Sequence, residues 1–98
     1  MKPHSYARRL VDEALREGYY LSVHDGEEWP VVVSRDRDAI VRAMESVDIC
    51  HLRIRGAMVG DKAGPILGNA LIVYGNDPDE EIADYTDNQF MHELVEHL

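Results

Sequence analysis

Cys50-His51-Leu52-Arg53-Ile54-Arg55 alternates without a break: Cys50, Leu52 and Ile54 point one way, and His51, Arg53 and Arg55 point the other. Period-two alternation is the pattern of a strand with one buried and one wet face. Upstream, Ala39, Ile40, Ala43, Met44 and Val47 share one helical face behind Ser34 or Asp36 as cap. Asp36 and Asp38 suit the positive N-terminal end of that helix. Further back, residues 19–23 and 29–33 are β-rich runs flanking Asp25-Gly26, a dipeptide suited to a tight hairpin turn. Pro30 cannot donate a ladder hydrogen bond, which sends the second run to a sheet edge or starts it nearby. Ala7, Leu10, Val11, Ala14 and Leu15 recur at the spacing of an amphipathic helix, with Ser5 to cap it and Gly18 to end it.

Downstream of Arg55, residues 56–68 carry four glycines and Pro65 and read as an irregular loop. Residues 70–74 form a nearly continuous apolar run that suits a central strand. Asn76-Asp77-Pro78-Asp79 is turn chemistry, residues 82–85 suit a short returning strand, and Thr86 or Asp87 caps a last helix with Phe90, Met91, Leu94, Val95 and Leu98 on one face. The order is α-β-β-α-β-β-β-α. Short connections favour hairpins over crossovers. The expected fold is a single α+β domain over residues 1–98, with a mostly antiparallel sheet of about five strands and helices packed on one face.

Composition narrows the function classes. The chain has 98 residues, ten Lys and Arg against nineteen Asp and Glu, and a formal net charge of -9. That balance argues against direct nucleic-acid binding by phosphate neutralisation. One Cys excludes an internal disulfide framework and fits a reducing, cytoplasmic setting. No run approaches a membrane span, and the first ten residues lack the apolar core of a signal peptide. All ten basic residues lie at or before Lys62, so residues 63–98 hold eight acids and no Lys or Arg. Such a segment either keeps a small protein dissolved or steers a basic partner toward itself.

Familiar catalytic and metal motifs fail on spacing. In HELVEH, His92 and His97 are five residues apart, about 140° around a helix of ~3.6 residues per turn, so they cannot face one metal. A calcium loop started at Asp77 would need Gly at 82 and Glu at 88, where Ile82 and Asn88 stand. Cys50 lies on the apolar side of its strand, where Cys is usually inert. No nucleophile elbow, dinucleotide fingerprint or phosphate loop is present, and no cofactor or metal is implied. Two features stay open. His51, Arg53 and Arg55 form a positive stripe suited to an anion, although pairing with the chain's own acidic segment is the expected role. Trp29, beside Glu27 and Glu28, is expected to cover one edge of the core; exposed, it would be an interface anchor.

DGEEW at 25–29, Ser34-Arg35-Asp36-Arg37-Asp38-Ala39-Ile40 and IVYGNDPDEEIADYTDN at 72–88 resemble a group of small acidic proteins encoded in proteobacteria and in phages or prophages. The resemblance covers residues 19–88 and departs at 56–68, which is longer and richer in Gly here. The group has no established activity, so the resemblance implies a cytoplasmic, phage-associated setting and carries over no catalytic residue.

The leading expectation is a non-enzymatic interaction module that offers Asp77, Asp79, Glu80, Glu81, Asp84 and Asp87 to a basic protein partner, in its sharpest form a mimic of nucleic acid. One alternative is a homodimeric structural module pairing through an edge strand or the last helix. Another is a small-ligand binder or enzyme built on His51, Arg53 and Arg55 with a carboxylate such as Asp84.

Overall fold

The computed structural model describes residues 5–75, 77, 80–96 and 98. Among them the elements run α1 (Tyr6–Arg16), β1 (Tyr20–His24), β2 (Val31–Ser34), α2 (Arg37–Glu45), β3 (Ile49–Arg55), β4 (Ile66–Val73), β5 (Ile82–Tyr85) and α3 (Gln89–Glu96). This is the order expected from the sequence. The strands form one antiparallel sheet, β2-β1-β3-β4-β5, with the alternating strand at its centre. A radius of gyration of 12.5 Å matches the ~13 Å of a single domain of about 100 residues.

All three helices pack on one side of the sheet. Register puts Leu21, Ile54 and Gly68 in one transverse row, Val23, Leu52 and Ala70 in the next, and Cys50 beside Ile72. These side chains share the core with Leu10, Val11 and Ala14 of α1, Ile40 and Met44 of α2, and Met91 and Leu94 of α3. Fully burying a Leu or Ile contributes about 1.5–3 kcal/mol, so this layer supplies most of the drive to fold. Gly68 is where α3 comes closest to the sheet: a Cβ there would overlap Met91.

The helix ends follow from single residues. Ser5 Oγ accepts from the Arg8 amide and Asp36 Oδ1 from the Ala39 amide, each at 3.2 Å. Gly18 adopts φ +91, and the Gly18 and Tyr19 amides donate back to Leu15 and Ala14. That pair of bonds closes α1 in a glycine-dependent cap. The last helix departs from expectation, because Asn88 caps it through the Met91 amide at 2.8 Å. Thr86 accepts instead from the Asn69 amide, and Asp87 holds His92.

The β1–β2 hairpin is wider than a two-residue turn. Asp25 Oδ1 accepts from both the Glu27 and Glu28 amides while Gly26 takes φ +103, so the loop continues to Pro30 and β2 starts at Val31. β2 lies at the sheet edge, as Pro30 implied. The loop expected over 56–68 is shorter. Val59 and Lys62 exchange both backbone bonds around Gly60, and β4 begins at Ile66. Gly68, counted as loop chemistry, belongs inside a strand because α3 needs its missing side chain.

Candidate functional site

Among the described residues no helix packs on the opposite side of the sheet. Its rows read, across the strands, Tyr20 and Arg55; Ser22, Arg53 and Asn69; His24, His51, Leu71 and Asp84; and Ile49 beside Val73. Apolar side chains stand open here, with Val32 68% and Ile49 52% exposed. They stand among the polar His24, His51, Arg53 and Asn69.

Trp29 lies on this open side, 38% exposed and outside the core that it was expected to cover. Six loop residues between β1 and β2 carry it past the edge and let its ring fold back over the outer face. Its ring meets His24 edge-on at 4.8 Å, and the Arg53 guanidinium sits 4.6 Å from the ring centre. Arg53 Nε donates to Asn69 Oδ1 at 3.0 Å, fixing the guanidinium over the indole. His24 and His51 lie 6.3 Å apart. Of this cluster, His51, Arg53, Arg55 and Trp29 were singled out from the sequence. His24 and Ser22 were missed, although alternation in Tyr20-Leu21-Ser22-Val23-His24 places them on the same face as Tyr20.

The expected pairing of the basic stripe with the acidic segment does not form. Among the described residues, neither Arg53 nor Arg55 takes part in an ion pair, whereas Arg8, Arg16 and Arg37 each hold a carboxylate. The reason is geometric. The stripe lies on β3, with β4 between it and β5. Among the described residues the segment carboxylate on this face, Asp84, stands in the row of His51, away from the Arg53 and Arg55 rows, and accepts from the Tyr85 amide.

Ser22, Trp29, Val32, Val33, Arg53 and Arg55 line a groove of about 240 Å³ on this face. Its floor is a β-bulge between β1 and β2. Val33 there adopts φ +45, a strained value for a β-branched residue, and its amide donates to Ser22 Oγ at 2.9 Å. Arg55 Nη1 donates to the Gly64 carbonyl at 2.9 Å, while Arg55 Nε is sealed from solvent without an acceptor.

The six carboxylates expected to meet a basic partner do not act alike. Asp77, Glu80, Asp84 and Asp87 are exposed along the β5 edge. Asp87 keeps its side chain 94% exposed while touching His92 Nε2 at 2.6 Å. Glu81 is buried and structural: it accepts from Ser5 Oγ at 2.7 Å and the Ala7 amide at 3.1 Å, closing the N-terminus of α1. Asp79 lies outside the described residues, as does His97 of the HELVEH segment.

Burial pushes the Cys50 thiol up to about 11, so it is inert at neutral pH, as its strand face implied. Among the described residues no three His, Cys, Asp or Glu side chains converge as metal ligands. No described helix is long and apolar enough to cross a membrane. A second groove, of about 210 Å³ between α1 and α3, is lined by Glu13, Glu17 and Glu93 around Tyr19 and Phe90. Its carboxylates are partly engaged, Glu13 by Arg16 and Glu93 by Gln89.

No family model, curated protein or solved structure matches the chain.

Proposed function

We propose that this protein is a non-enzymatic interaction module that docks a partner protein on the uncovered face of its sheet. One observation carries the proposal: Trp29 stands out of the core, flanked by His24 and Arg53, on a face with exposed Val32 and Ile49 and no described helix against it. Leaving a Trp and apolar side chains open to water is disfavoured until another surface covers them, and Trp and Arg dominate the energetics of such contacts. The Cys50 thiol, sealed in the core, is not a competing nucleophile.

A second reading rests on Asp77, Asp84 and Asp87, exposed along the β5 edge, which would draw a basic partner. In the phage-associated setting that the sequence resemblance implies, that partner would be a host protein.

One capture experiment separates the two. Tagged protein is used to retain partners from lysate in three forms: unaltered, with Trp29→Ala and Val32→Asp, and with Asp77, Asp84 and Asp87 changed to Asn. Docking on the sheet face predicts loss in the second form and retention in the third, with unchanged circular dichroism in both. The reverse pattern, with capture failing in high salt, assigns binding to the acidic edge.

A further inference from the structure

We propose that the groove between β2 and β3 binds a small organic oxyanion carrying a flat apolar group, a carboxylate or phosphate on a single ring. The inference rests on the reading of the uncovered face as a binding surface and adds to it a small-ligand site that can fail independently of protein docking.

Charge is the first support. Arg9, Arg35 and Arg42 also lack a carboxylate but are exposed to water, whereas Arg53 and Arg55 stand near each other, half-buried, without one among the described residues. Both are only partly exposed. A half-buried guanidinium without a counter-anion is an unfavourable arrangement, and an oxyanion bound across the groove relieves it.

The hydrogen-bonding capacity is also unspent. Arg55 uses Nη1 on Gly64, its Nε has no acceptor, and Arg53 uses only Nε, on Asn69. The remaining Nη groups of both residues are donors of the forked kind that suits carboxylate and phosphate.

Shape supplies the rest. Trp29, Val32 and Val33 give the groove an apolar wall beside the two cations. Its volume of about 240 Å³ falls below the roughly 300–1,000 Å³ of drug-sized sites, which restricts the ligand to about one ring. The strained Val33 belongs to the wall, and strain of that kind persists where the surroundings fix a binding geometry.

Trp29 is the sole tryptophan, so its fluorescence reports the groove directly. The full chain is titrated with phenyl phosphate, benzoate and inorganic phosphate at constant ionic strength. A saturable change with either aryl anion, at least about tenfold weaker with inorganic phosphate, is expected; the stronger of the two aryl anions identifies the head group. Arg53→Gln and Arg55→Gln should each weaken binding by about tenfold to a hundredfold, the usual loss for a charge-assisted hydrogen bond. Arg42→Gln, on the outer surface of α2, should leave it unchanged. Arg53→Lys guards against a folding artefact, since it keeps the charge and should retain part of the affinity. No saturable response, equal response to inorganic phosphate, or saturation undiminished in the well-folded Gln variants would overturn the proposal. Those failures leave the protein-docking reading standing if Trp29→Ala with Val32→Asp still abolishes capture.

Discussion

Replacing Gly68 by Ala tests the layering that leaves one sheet face uncovered. An added Cβ would overlap Met91 Cγ and Sδ, and Met91 is fully buried, so its side chain must shift against the packed core. Overpacking of this kind costs about 1–3 kcal/mol. Against it stands a gain of about 0.5–1 kcal/mol from restricting a glycine in extended backbone. The net loss should be about 1–2 kcal/mol, a fall of roughly 5–15 °C in melting temperature for a domain this size. Met91→Ala alone should cost about 2–5 kcal/mol through the cavity that it leaves. In that background the overlap is gone, so Gly68→Ala should reverse sign and stabilise by up to about 1 kcal/mol. Urea melts followed by circular dichroism on the four proteins of the cycle would measure the coupling, expected at about 1.5–3 kcal/mol. Additive effects, or a Gly68→Ala variant more stable than the parent, would refute the packing of α3 on β4.

Three further outcomes are expected. Glu81→Gln weakens the carboxylate's hold on Ser5 and Ala7 and should cost about 1–2 kcal/mol in urea melts without changing partner capture, since the side chain faces inward. Gly64→Ala drives a Cβ into the carbonyls of Gly56 and Ala57, which are backbone and cannot yield, so it should destabilise by about 2 kcal/mol or more and disturb the Arg55 contact that borders the groove. Cys50 holds its proton to about pH 11 when folded against an ordinary value of 9.0. Its contribution is therefore whole below pH 9 and lost as pH rises toward 11, up to about 3 kcal/mol. Urea midpoints at several pH values should show that loss, and Cys50→Ala should remove the part that sets in just above pH 9, leaving the later loss from Tyr74, whose phenol burial also holds protonated.

Period and capping chemistry made most of the architecture legible. The alternation of residues 50–55 marks the central strand, and Ser5, Asp36 and Gly18 mark helix ends that the structure keeps. What escaped depended on contacts between distant segments. Gly68 reads as loop in a local window, yet it belongs to β4 because Met91 of α3 occupies the space its side chain would fill. Trp29 reads as core because large aromatics usually are, and only the six-residue hairpin loop places it on the outer face. Glu81 and Asp84 look alike as members of an acidic run. One faces inward to α1 and the other outward beside Leu71, a distinction set by the β4–β5 register and its bulge. His24 was legible in principle, since it alternates with Leu21 and Val23.

The most direct test of the central claim is acrylamide quenching of Trp29 with and without a captured partner bound. Docking on the uncovered face predicts that the partner shields the indole and cuts the quenching constant severalfold. An indole equally open to acrylamide in the complex, with binding abolished by neutralising Asp77, Asp84 and Asp87, would contradict that claim and assign the function to the acidic edge.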